Sequence, residues 1–499
     1  MVSTRVSPAE RAPVGLPPFG SFRSYFSNEL INALATLAGV VVLTRLVTPE
    51  VYGAYAVTIA AASVAMALCG EWLQLSTLRL VAAQRRESHR QTYVRGLLHL
   101  TLASTGALLA AAAAGLVLAG TPLVRALVVM GWLYATLNVL FLGTTIYFQA
   151  TLQPARFARY RSAYSVLRVL FAALLAVLLA PSPVWLVAGS VLGLVVLLPP
   201  AILTVLRAQA RAPTARRVAA ARARVVRFGA PLIGWFAASQ VLNLADRFFL
   251  QGLLGSAEVG MYTVTYALVV GATTTLLQPI LAAVYPPMVS AWQQDGPAAA
   301  GHQLTGALRL FVLLAPLLLA GLTLYGDDVL AVLVPSAYQT PRLLVVVLAG
   351  ALLCWNAGLY LQKGLELSLK STSLVKTLAA AAAANVVANL ILIDRIGLLG
   401  AALATLIGYG IYAASIFRQS RAALPFALPA RATAVAFVAA GAFVLVAVLL
   451  ERGPAFHTGW ERILLAAPIA TLAYLGVLYV AGELRLAAVG LATTRPTAR

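Results

Sequence analysis

Six charged side chains stand inside long apolar stretches of this 499-residue sequence: Glu29, Glu71, Arg168, Asp246, Arg247 and Lys376. In hydrocarbon such a group is expensive, so it faces either a wet cavity or a partner. Arg168 and Lys376 have no acid close by in the sequence, and both are of the type that holds an anion, the guanidinium as a two-pronged fork and the ammonium as a point charge. The bland alternative is that each snorkels to lipid headgroups. Asn28, Glu29, Asn32 and Thr36 recur at spacings of three and four and so share one helical face. A polar stripe of this kind either lines a cavity or bonds to a neighbouring helix. Glu71 invites an ion pair with Arg168 or Arg79. Gln278 with Tyr285, and Trp355 with Asn356, offer amide and aromatic groups to a polar ligand, and the same groups are ordinary in helix packing. Asn243, Asp246 and Arg247 lie together near one end of their segment and read as structural.

The elements that carry these residues follow from composition. Hydrophobic residues make up 61% of the chain and charged ones 10%, with a mean hydropathy of +0.89. Lipid must therefore be the main solvent. A crossing needs roughly 20 apolar residues, and apolar windows from 22–46 to 463–481 supply about fourteen. The predicted fold class is all-α, a polytopic membrane protein. The stretch 329–334 is too short to cross, and it leaves open whether the chain dips separately there. A net charge of +21 is scattered between apolar segments, which fits positive-inside topology and not nucleic acid. With the N-terminus inside, Arg85, Arg86, Arg90 and Arg95, then Arg156, Arg159 and Arg161, then the seven arginines from Arg207 to Arg227 all fall on the cytoplasmic side. Both termini are expected there, in a bacterial inner membrane, and residues 1–20 show no cleavable signal peptide.

The sequence also repeats itself. Glu50-Val51-Tyr52-Gly53-Ala54-Tyr55-Ala56-Val57-Thr58 returns as Glu258-Val259-Gly260-Met261-Tyr262-Thr263-Val264-Thr265, and Ser165–Ala173 returns as Ser373–Ala381. The second match pairs Arg168 with Lys376. An even number of crossings separates the copies, so the halves share orientation and are related by an axis along the membrane normal. The expected organisation is a tail (1–20), a six-helix lobe (21–206), a basic linker (207–227), a second six-helix lobe (228–417) and two further helices with a tail (418–499). Two such lobes suit alternating access.

At TRLVTPEVYGAYAV (44–57), ADRFFLQGLLGSAEVGMYTVTYAL (245–268) and NVVANLILIDRIGLLGAALAT (385–405) the chain resembles the polysaccharide transporter family. These are the Wzx-like oligosaccharide flippases of the multidrug/oligosaccharidyl-lipid/polysaccharide exporter superfamily. The resemblance implies a flippase that takes an undecaprenyl-diphosphate-linked oligosaccharide from the inner to the outer leaflet for cell-surface polysaccharide, O-antigen or lipopolysaccharide synthesis. On that footing Arg168 and Lys376 are the expected diphosphate ligands. Glu29, Asn28, Asn32, Glu71, Gln278, Trp355 and Asn356 are the other expected cavity residues. The expected partners are the lipid-linked oligosaccharide, the bilayer, a glycan polymerase and glycosyltransferases. No cofactor is expected beyond a coupling Na+ or H+. A cation-coupled multidrug exporter of the same superfamily is the close alternative, and a membrane glycan polymerase or ligase the enzymatic one. Enzyme chemistry has little to stand on: Asp327 and Asp328, read as an outer loop, have no further acid nearby, and the four histidines lack metal-ligand spacing. Cys69 and Cys354 lie in apolar segments, and no metal site is expected.

Overall fold

The computed structural model of the chain describes residues 19–84, 87–207, 214–452 and 458–484. Arg85, Arg86, Arg211 and the two tails, on which some of the expectations above rest, lie outside the described residues. Among the described residues, thirteen helices are long and apolar enough to cross a membrane. They are α1 Phe19–Leu46, α2 Pro49–Val81, α3 Glu87–Leu118, α4 Pro122–Ala150, α5 Pro154–Leu178, α6 Pro183–Arg207, α7 Ala215–Leu253, α8 Ser256–Gln294, α9 Pro297–Leu333 and α10 Arg342–Leu361, then one long stretch, then α13 Ala430–Glu451 and α14 Gly459–Val480. The long stretch, Ser371–Ala423, is twice the length a crossing needs and breaks at Ile396 and Gly397. Gly397 has φ +59° and ψ −135°, a conformation open to glycine because it lacks a Cβ. The chain therefore turns back there, giving α11 (371–395) and α12 (398–423) and fourteen passes, as hydropathy predicts.

Proline sets several starts. Pro49, Pro122, Pro154 and Pro297 open their helices, where a missing N–H leaves nothing unsatisfied. The question left open at 329–334 is answered: residues 329–333 are the last turns of α9, and Val334 follows as its cap. One expectation needs correcting, since Asp327 and Asp328 lie within that helix and not in a loop. The physical reason is ion pairing: Asp327 meets Arg342 at 2.8 Å and Asp328 meets Arg462 at 3.2 Å, so the acids can sit at a helix end without being left alone. The described part of the basic stretch, from Ala215, is helix continuous with α7.

Because successive helices alternate in direction, the starts of odd-numbered helices gather at one end. That end carries the arginine-rich connections and is called the basic end below. In the first half α5 packs on α1 and α6, and α4 on α6. In the second, α11 and α12 pack on α7 and α10. The appended α13 and α14 pack on each other and on α9. Tyr325 meets Phe443 edge-on at 6.1 Å, and the Tyr474 hydroxyl donates to the Leu313 carbonyl at 2.7 Å. This unit is clipped at both ends. Arg462 spans Asp328 and Glu451 at one, while at the basic end the buried Glu483 carboxylate receives Arg309 and stands 3.6 Å from Arg431. Arg462→Ala strands two partly buried carboxylates and is expected to destabilise the protein by about 1–3 kcal/mol, read as a lowered melting temperature in detergent.

Candidate functional site

The two halves meet at both ends, and the repeat noticed in the sequence forms one of the meetings. At the end opposite the basic one, the first turns of α2 and α8 cross in contact. A Cβ on Gly53 would stand 1.7 Å from the Ser256 carbonyl oxygen, and one on Gly260 2.1 Å from that of Pro49. Both pairs are related by the same step of 207 residues, so the contact is reciprocal across the twofold axis and only glycine admits it. Tyr338 closes this seam from the side, donating its hydroxyl to the Val47 carbonyl at 2.8 Å and standing edge-on to Tyr52 at 6.0 Å. Burial pushes the Tyr338 hydroxyl up from its ordinary pKa, so it remains a donor at physiological pH.

At the basic end the seam is built by α7. Its buried Ala221 and Val225 share one apolar cluster with Val94 and Leu97 of α3. A Cβ on Gly229 would stand 2.4 Å from the Trp72 ring of α2, the Arg79 guanidinium lies 4.8 Å over the Phe228 ring, and Arg224 donates to the Tyr93 hydroxyl at 3.2 Å. Midway, Glu71 accepts from Gln240 across the halves at 3.3 Å. Glu71 thus pairs with neither Arg168 nor Arg79, contrary to expectation. It sits in the first of two π-helical turns of α2, Ala67–Glu71 and Thr77–Val81, which add residues to a turn and re-aim side chains. Arg79 is eight residues further on, about 12 Å along the helix.

Between the seams lies the polar stripe of α1, joined to α5 by three rungs. Ser162 donates to Asn28 at 3.4 Å, Ser165 to Asn32 at 2.9 Å, and Arg168 to Thr36 at 3.0 Å. Asn28 is buried and Glu29, Asn32 and Thr36 are exposed, with Asn28 also donating to Glu29 at 3.1 Å. The stripe is thus an interhelical zipper along one edge and open along the other. Arg168 lies about midway along α5, its Nε buried without a hydrogen-bond partner. The phenols of Tyr55, Tyr134 and Tyr164 are within Coulombic reach of it.

Lys376 is placed differently. It lies on the exposed face of α11, shared with Val387 and Leu390, and joins no ion pair or hydrogen bond among the described residues. The buried faces of α5 and α11 coincide at an offset of 209, where Ser165, Ala172 and Ala176 match Leu374, Ala381 and Asn385. The sequence match lies at 208, and one residue turns a helix by about 100°. Thr377, not Lys376, therefore occupies the place of Arg168. Gln278 donates to the fully buried Asn356 at 3.3 Å, and Trp355 stacks at 5.0 and 5.3 Å on Tyr409 and Tyr412. These three pack inside the second half.

Sequence reading missed Gln240, and it treated Arg161 only as a marker of topology. Arg161 is two turns before Arg168 on the same face and within Coulombic reach of Glu29, a relation its spacing of seven could have shown. Two further cavities lie away from Arg168 and the α1 stripe. One of about 70 Å³ lies inside the first half beside Gln74, Thr77, Thr144 and Tyr147, and an apolar trough of about 610 Å³ runs between α13 and α14 past Ala434, Val438, Gly476 and Val480.

A family model described as polysaccharide biosynthesis protein matches residues 21–292, more than half of the chain. The chain belongs to that family. No curated protein matches the chain. Among solved structures it is similar to a lipid II flippase in an inward closed conformation, at 9% identity and a TM-score of 0.76 over 93% of this chain and 100% of that one. It is also similar to an inward-facing multidrug resistance transporter of the same superfamily, at 15% identity and a TM-score of 0.63 over 81% of this chain and 97% of that one. The chain is thus a multi-pass membrane protein with the fold of that transporter superfamily.

Proposed function

We propose that this chain is a flippase carrying a diphosphate-linked oligosaccharide on a polyprenyl tail from the inner to the outer leaflet of the bacterial inner membrane, for surface-polysaccharide synthesis such as O-antigen or exopolysaccharide. The basic end faces the cytoplasm, with both termini. Support comes from the family description, from the lipid II flippase named among the similar folds, and above all from one observation: the halves meet at both ends, with Arg168 and the α1 stripe between the meetings. Opening one seam while the other holds exposes that polar interior to each side in turn, which is alternating access. The tail stays in lipid, and Arg168 offers a cation to the diphosphate. A glycan polymerase and the glycosyltransferases that assemble the substrate are the partners this reading requires.

The test is leaflet transfer of a lipid-linked oligosaccharide in proteoliposomes. Arg168→Gln is expected to lower the rate at least tenfold at unchanged protein insertion, whereas efflux of a cationic dye with no oligosaccharide transfer would favour the multidrug alternative.

Coupling to Na+ or H+ belongs to the same reading. Glu71 is the carboxylate the two halves share through Gln240, so its protonation is suited to loosening their contact. Glu71→Gln is expected to make transfer insensitive to a protonophore. Transfer by the wild type that ignores both proton and Na+ gradients would reject coupling altogether.

A further inference from the structure

The two π-helical turns of α2 bracket a short α-helical insert, Trp72–Ser76. Such turns are rare and gather at functional places, and two of them on either side of one turn of helix separate that turn from the register of the rest. The insert carries the contact that closes the basic end. Trp72 and Ser76 are the side chains that a Cβ on Gly229 would strike, and both are buried. Behind the insert lies the cavity of about 70 Å³, bordered on α2 by Gly70, Leu73, Gln74 and Thr77 and on α4 by Gly143 and Thr144.

A π-turn holds one residue more than the α-turn it replaces. When the Ala67–Glu71 turn relaxes to α geometry and the stretch from Thr77 takes up the excess, the two ends of α2 keep their places and the insert alone advances by one residue, about 100° and 1.5 Å. Each of its side chains then stands where its successor stood. Trp72 takes the place of Leu73, and Ser76 that of Thr77, both on the cavity wall. Resting on the flippase reading, we infer that this insert unlatches the basic end, turning Trp72 from Gly229 into the cavity so that the halves can part. The cavity supplies the room by which an indole exceeds a leucine side chain. The Ser76 and Thr77 hydroxyls donate to the Trp72 and Leu73 carbonyls at 2.7 and 2.8 Å, so these carbonyls keep a donor while the backbone bonds change partners. The Gln74 Nε2 is buried without a hydrogen-bond partner, which is costly, and the step moves it to the place of Leu75, 40% exposed.

The experiment fills the cavity without touching the seam. Gly143 borders it from α4, and a Cβ there meets nothing within 4 Å. Gly143→Leu in the full-length protein is expected to raise the melting temperature in detergent and yet lower oligosaccharide transfer in proteoliposomes at least tenfold. In a background of Cys69→Ser and Cys354→Ser, labelling of a cysteine at Asn32 by an impermeant maleimide from the basic side is expected to slow at least fivefold. Deletion of Ala67 leaves an ordinary α-turn ahead of an insert that has not moved, so it is expected to give the same two losses, and it decides the case if Gly143→Leu folds poorly. A raised melting temperature with transfer and labelling unchanged would overturn the inference, as would faster labelling from the basic side in either variant. A tenfold loss of transfer in Arg168→Gln would then leave the flippase reading standing. If none of the three variants lowered transfer, both would fall.

Discussion

Gly53→Val and Gly260→Val are each expected to cut oligosaccharide transfer to background while the protein still inserts and folds. The obstacle at either position is a backbone carbonyl, at 1.7 and 2.1 Å from the would-be Cβ, so no rotamer change relieves it. Ordinary contact needs more than 3 Å, so α2 and α8 must separate by about 1.5 Å, and close-packed helices do not yield that distance locally. The seam away from the basic end then cannot close, and the cycle stalls open on that side. A cysteine at Asn32, between the seams, reads this out in a background of Cys69→Ser and Cys354→Ser. Labelling by an impermeant maleimide added from the side away from the basic end is expected to rise sharply with either valine. Unchanged labelling together with normal transfer would show that the glycine pair is not a gate.

Gly229→Leu is expected to act with the opposite sense. Its neighbours are side-chain atoms, the Trp72 ring at 2.4 Å and the Ser76 Oγ at 2.7 Å. A small addition could be absorbed by a swing of the indole, and a leucine cannot be. The basic-end seam should stay open, transfer should fall at least tenfold, and the Asn32→Cys reporter should label faster from the basic side only. Because the two sets of variants act on opposite ends, combining Gly53→Val with Gly229→Leu should make the reporter accessible from both.

How far the sequence could be read follows from what each feature depends on. Fourteen crossings were legible because lipid solvates each helix separately, and even the hairpin at Gly397 is visible as two apolar windows. The repeat was legible where it matters most, since a reciprocal glycine contact on a twofold axis forces both copies to keep the same residues. Partners were not. Glu71 meets Gln240 through an irregular turn of α2 whose π-helical winding leaves no mark in hydropathy. The pairing of Arg168 with Lys376 missed the structural register by one residue, which the alanine-rich stretch around Ala379–Ala383 cannot fix by side-chain identity. Asp327 and Asp328 looked like a loop because two adjacent acids seldom end a membrane helix, and their arginine partners lie 15 and 134 residues away.

The clips that hold α13 and α14 to α9 make the molecule lopsided despite its internal twofold. Eight crossings travel as one raft and six as the other, so viscous drag in the bilayer falls unequally on them. Seen from the surrounding lipid, the lighter raft swings somewhat further than the heavier one. Distance changes measured by spin labels against fixed lipid markers should therefore be larger on α3 and α4 than on α9 and α13.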